Sequence, residues 1–135
     1  MAKPVVAERI SVKKDRISIL VRMSEGFPRY VSSALAQAAS QAFPGLVDHA
    51  CVNDVGPRFG DVLVGTSVPH LLEHLIIHGQ VMDAATPADI ALVGTTEWLD
   101  EKKGLARIEV NYTDDLVALS ALKMALAFLN ERMAD

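Results

Sequence analysis

Ile17, Ile19, Val21 and Met23 recur at every second position, with Arg16, Ser18 and Arg22 between them, and this alternation predicts a half-buried β-strand. Upstream, Val5 to Val12 is rich in β-branched residues and Ile10 and Val12 alternate with polar neighbours. Lys13-Lys14-Asp15 supplies a polar turn between the two runs, so the pair reads as an antiparallel hairpin. Ser24-Glu25-Gly26-Phe27-Pro28 breaks the pattern, and the period then lengthens. Val31, Leu35, Ala38 and Ala42 are spaced by about a helical turn and predict a helix over 29–43, stopped by Pro44-Gly45. Residues 46–58 show no sustained period and read as a loop with room for a short strand. Residues 61–65 read as a short strand or as the approach to the next helix.

The run from Val68 to Met82 is strongly apolar and predicts a second helix, with Thr66 or Ser67 as N-cap and Pro69 in its first turn. Gly79 either ends this helix or is absorbed in its last turn. Thr86-Pro87 marks a boundary, 90–93 reads as a short apolar strand, and 94–104 as a polar, charged connection. Alternation returns from Leu105 to Tyr112. Thr113-Asp114-Asp115 then caps a final helix whose stripe is Leu116, Leu119, Leu122, Leu126, Leu129 and Met133. The order ββα-αββα predicts an α+β fold, an antiparallel or mixed sheet with helices packed on one face.

The 135 residues suffice for one domain spanning 1–135. Half are apolar and 22% charged, with a formal net charge of −4. Basic residues are scattered and aromatic residues few, so a nucleic-acid partner is not expected. Cys51 is the single cysteine, which excludes an internal disulfide and fits a reducing compartment. The N-terminus has no apolar stretch of signal-peptide type, and the longest apolar run carries three histidines and a glutamate. Neither a membrane span nor a membrane partner is expected, and a cytoplasmic location is.

That apolar run holds the chemistry: His70-Leu71-Leu72-Glu73-His74. Histidines four apart project from one helical face. Imidazole is a common zinc ligand, and the intervening carboxylate can take a proton from a water that the cation polarises. This is the inverted zincin pattern, with His70 and His74 as metal ligands and Glu73 as catalytic base. The bland alternative is a partly buried helix face whose imidazoles bond to neighbours. Against it, three polar groups on an apolar helix are costly unless satisfied. His78 continues the row but lies about 12 Å along the axis from His70, which suits a rim or substrate contact better than a third ligand. His49 and Cys51 are zinc-ligand types at a spacing that allows joint binding. The lone cysteine reads more readily as a small buried hydrophobe than as a ligand. Trp98 in the charged connection could mark a binding edge or subunit contact.

From about Phe27 onward the chain resembles the N-terminal domain of cyanophycin synthetases, which build a poly-aspartate carrying arginine on its side chains. In that family a helix reads roughly His-x-x-Glu-His-x-x-x-Glu-x-Gln, and here residues 70–80 run from His70 through Glu73, His74 and His78 to Gln80. Gly94-Thr95-Thr96-Glu97 matches a Gly-containing loop, Ala106 to Tyr112 an alternating strand, and Asp114-Asp115 the acids that open an alanine-rich helix. His78 departs from a family glutamate, and an arginine usual in the Gly-containing loop is missing near Thr95. No ATP-grasp or P-loop signature is present, so polymer synthesis is not expected.

Some of these domains resemble insulinase- and pitrilysin-type zinc peptidases, and Pro69 to Leu75 is close to that motif as well. There the third ligand is a glutamate from a later helix. The resemblance therefore implies Asp115 as third ligand here, with Asp114 next and His78 a further candidate, although aspartate is a methylene shorter. It implies a zinc-dependent amide or peptide hydrolase acting on cyanophycin or a related peptide. The alternative is a non-catalytic polymer- or protein-binding module that keeps the helix for structure. Because insulinase-type enzymes enclose substrate between several domains, a homo-oligomer or partner chain would complete the cleft.

Overall fold

The computed structural model describes residues 2–51 and 54–134; Val52 and Asn53 of the central loop lie outside the described residues. The elements are β1 (Val5–Val12), β2 (Arg16–Met23), α1 (Ser33–Ala42), short 3-10 turns at Leu46–Asp48 and Phe59–Asp61, α2 (Val68–Val81), β3 (Gly94–Asp100), β4 (Leu105–Asn111) and α3 (Asp115–Met133). The strands form one sheet in the order β1-β2-β4-β3, and every neighbouring pair is antiparallel. The fold is α+β, as the pattern predicts.

The alternation sorts the two faces of the sheet. Ile17, Ile19, Val21 and Met23 of β2 and Ala106, Ile108 and Val110 of β4 are buried beneath the helices. α2 lies over β4 and β3, and α3 over β1 and β2. The opposite face carries charge pairs across strands, Arg22 with Glu8, Arg16 with Glu109 and Arg107 with Glu97. One covered and one polar face is what an antiparallel sheet permits. α2 is the central helix: eleven of its fourteen residues are buried, polar ones included. Gly79 sits inside it, where a Cβ would come within 2.7 Å of the Ala121 Cβ, so glycine lets α2 and α3 approach closely. The Asn130 side chain bonds both backbone groups of Val5, docking α3 to the start of β1.

Two local expectations are corrected and one open reading is settled. The first helix begins at Ser33, not at 29, because the backbone before it is engaged elsewhere. Val31 N–H donates to Thr66 O at 2.8 Å and Gly65 N–H to Val31 O at 2.8 Å, and Ser32 then caps the helix through Leu35 N–H. Residues 61–65 form turns that lead into α2, the second of the two expected readings. The strand expected at 90–93 is displaced to Gly94–Asp100, within the expected polar connection. β3 is an edge strand with Thr95, Glu97 and Leu99 exposed, so it forms without an apolar face. Residues 91–93 are held instead by Asn111, whose side chain accepts from Val93 N–H at 2.8 Å and donates to Ala91 O at 3.0 Å.

No helix among the described residues is long and apolar enough to cross a membrane.

Candidate functional site

The first two turns of α2 project into a cavity of about 700 Å³ lined by Cys51, Thr66, His70, Glu73, His74 and β3 from Gly94 to Trp98, among others. Ser67 starts the helix by accepting from His70 N–H at 3.1 Å, with Pro69 in the first turn. This cap fixes where the helical phase begins, and so places His70, Glu73 and His74 on the cavity side. Glu73 and His74 are 4% and 3% exposed, and His70 is half-buried.

Each polar side chain has a defined neighbour. His70 Nδ1 lies 2.8 Å from Thr66 Oγ1, and its Nε2 lies 3.6 Å from Cys51 Sγ. Thr96 Oγ1 donates to Glu73 Oε1 at 2.7 Å, while Glu73 Oε2 stands 3.6 Å from His74 Nε2. Phe59 stacks on His74 with ring centroids 3.9 Å apart and planes 10° apart. The other edge of His74 meets His49, Nδ1 to Nδ1 at 3.3 Å, and His49 Nε2 in turn lies 3.2 Å from His78 Nδ1. Gly94 makes room for the carboxylate, since a Cβ there would meet Glu73 Cγ at 2.7 Å.

Burial sets the charge states. It lowers the pKa of His70 and of His78. It brings His74 down to about 3, reinforced by repulsion from His70 and His49. His49 falls to about 4 through burial and the neighbouring His78, against a weaker opposing pull from Asp48. The imidazoles are thus neutral and carry lone pairs at pH 7, the state in which they bind metal. Burial pushes Glu73 up, and the Thr96 hydrogen bond holds it partly back. A carboxylate so placed is a stronger base than one in water.

Among the described residues, one group offers metal-ligating atoms that all lie within 4.8 Å of one another: Cys51, His70 and His74. The structure therefore brings His70, Glu73 and His74 together, with Cys51 beside them. It does not bring Asp115 to them. Asp115 is exposed in the first turn of α3 and does not line the cavity, and Asp114 is engaged as the N-cap, accepting from Leu116 and Val117 N–H. Asp115 and Leu116, which open α3, are exposed. Trp98 is half-buried on the cavity wall, its ring 6.3 Å edge-on from Tyr30. Sequence reasoning missed Phe59 and gave Thr96 and Gly94 no role. The Gly94-Thr95-Thr96 match to the synthetase loop was the available signal.

The sheet-and-helix scaffold, with a histidine- and carboxylate-lined cavity on its central helix, defines an α+β domain. The chain matches the cyanophycin synthase-like N-terminal domain family over residues 16–134, and it belongs to that family. No curated protein and no solved structure matches it significantly.

Proposed function

We propose that this cavity is a hydrolytic metal centre, with Cys51, His70 and His74 holding a Zn²⁺ ion and Glu73 serving as base in cleavage of an amide bond. The observation that carries the reading is the convergence of three soft or imidazole donors beside a buried carboxylate. The donor set fits the ion. A thiolate and an imidazole on one tetrahedral zinc stand about 3.5 Å apart, close to the 3.6 Å between Cys51 Sγ and His70 Nε2. Neutral imidazoles and a thiol are ligands of the softness zinc selects. When bound, zinc would supply Lewis acidity toward a carbonyl oxygen and acidify a water at neutral pH.

The protein's own groups do the rest. Glu73, with one oxygen held by Thr96 and the other toward His74, takes the proton of the attacking water and returns it to the leaving nitrogen. Thr66 orients the ring of His70, and Phe59 that of His74. Cys51 takes the role that the peptidase resemblance gave to Asp115. Family membership favours cyanophycin, or a related peptide of aspartate and arginine, as substrate.

The test combines zinc content of the purified protein with cleavage of cyanophycin and of short aspartate–arginine peptides. The expected result is one zinc per chain, retained in Glu73→Gln while cleavage is lost. A protein that takes up no zinc, or a Glu73→Gln variant that cleaves as well as the parent, ends the hydrolytic reading. Retention of polymer without cleavage would then leave the docking module.

A further inference from the structure

The chain has four histidines, and all four lie in one row of contacts. Two of them, His49 and His78, are not among the converging ligand atoms. We infer that His49, backed by His78, is a positioning residue: it accepts the Nδ1–H of His74 and so leaves His74 Nε2 bare toward the cavity. The inference rests on the metal-centre reading for its consequence, but its geometry is independent of it.

A neutral imidazole carries one N–H and one lone pair, and only the lone pair binds a cation. Which nitrogen is bare is decided by the hydrogen bond that the other makes. The two nitrogens of His74 have different surroundings. Nδ1 is 3.3 Å from His49 Nδ1, and Nε2 is on the Glu73 side of the ring. Phe59, stacked 3.9 Å away, fixes the plane of the His74 ring but cannot distinguish its two edges. His49 can.

The direction of the row follows from its ends. If His74 donates from Nδ1, His49 accepts at Nδ1, donates from Nε2 to His78 Nδ1, and His78 keeps its own hydrogen on Nε2. Both contacts within the row then pair one donor with one acceptor. If the row runs the other way, His74 must carry its hydrogen on Nε2, where Glu73 Oε2 stands at 3.6 Å, longer than a hydrogen bond. The first direction instead moves the terminal N–H to His78 Nε2, at the far end of the row, and leaves His74 Nε2 without a hydrogen. His78 is itself held by the edge-on ring of Phe43, with centroids 5.9 Å apart, so the row ends on a packed side chain.

The test is nitrogen-15 imidazole spectroscopy of the zinc-free wild-type protein, with zinc affinity measured by chelator competition for the wild type, His49→Phe and His49→Asn. The expected spectrum shows His74 protonated at Nδ1. His49→Phe keeps the ring shape and removes the acceptor, and it should weaken zinc binding by roughly 10–100-fold, the usual effect of losing such a partner. His49→Asn places a carbonyl oxygen near the position of Nδ1 and should recover part of that loss. His74 protonated at Nε2 in the wild type overturns the inference, as does a folded His49→Phe protein that binds zinc as tightly as the parent. A wild-type protein that binds no zinc defeats the metal-centre reading instead, and the spectrum still decides the tautomer.

Discussion

Thr96 Oγ1 on the edge strand β3 donates a 2.7 Å hydrogen bond to Glu73 Oε1 on the buried helix α2. This bond is the polar link between the sheet and the carboxylate, and it opposes the upward pKa shift that burial imposes on Glu73. Thr96→Val keeps the shape and removes the donor. It should raise the Glu73 pKa further and lower stability at neutral pH by about 1.5–3 kcal/mol, the worth of a hydrogen bond to a charged group. A group with a raised pKa contributes stability below its unfolded value and loses it as pH rises through the folded value. The defect should therefore shrink on acidification. Urea unfolding of both proteins at pH 4.5 and 7.5 checks this, and an equal defect at both pH values would contradict it.

The zinc-free protein should lose stability in mild acid. His49, His70, His74 and His78 all have depressed pKa values, so the unfolded chain binds their protons first. Their contribution is complete above the ordinary 6.5 and declines as pH falls, through about 4 for His49 and about 3 for His74. Each buried imidazole adds up to about 1.4 kcal/mol per pH unit, less for half-exposed His49 and His70, whose charges water screens. Glu73 acts in the opposite sense from its ordinary 4.5 upward, and one carboxyl offsets the four histidines only in part. The urea midpoint should fall between pH 7 and 5; a flat profile there would count against the buried histidine row.

Cys51→Ser and Asp115→Asn separate the two candidates for third ligand. The thiolate is the softer donor and lies beside His70 Nε2, whereas Asp115 is exposed at the start of α3. Cys51→Ser should weaken zinc binding by more than about tenfold, and Asp115→Asn should leave it unchanged. The opposite pattern would restore the ligand set implied by the peptidase resemblance.

Gly79→Ala should destabilise the fold although alanine is the better helix former. The gain in propensity is about 1 kcal/mol. The new Cβ would stand 2.7 Å from the Ala121 Cβ on a packed helix, and overpacking of that kind costs about 1–3 kcal/mol. Ala121→Gly in the same chain should restore much of the thermal midpoint. A Gly79→Ala protein more stable than the parent would show that the α2–α3 contact yields easily.

Gly94→Ala probes the other close approach. The backbone there needs no left-handed conformation, so the effect is steric: the methyl group would meet Glu73 Cγ at 2.7 Å and Glu109 O at 3.0 Å. Turnover should fall at least tenfold with zinc content unchanged, because the carboxylate moves and the ligands do not. Unchanged turnover would show that Glu73 tolerates displacement.

The sequence by itself determined the elements whose period is carried by side chains on one buried face. β2, β4, α2 and α3 were legible because Ile17, Ile19, Val21 and Met23, or Leu122 and Leu129, meet the core at fixed spacing. The His70, Glu73 and His74 constellation was legible for the same reason, since helical geometry makes positions three and four apart neighbours. What depends on contacts between distant segments was not. β3 has no apolar face because it lies at a sheet edge, so its Thr96 and Gly94 looked like loop residues until the pairing with β4 set them against Glu73. Only the tertiary structure carried Cys51, His49 and Phe59 across from the loop before α2 to the rings of His70 and His74. No local period encodes where such a loop folds back, because its course is fixed by the packed surface that it covers.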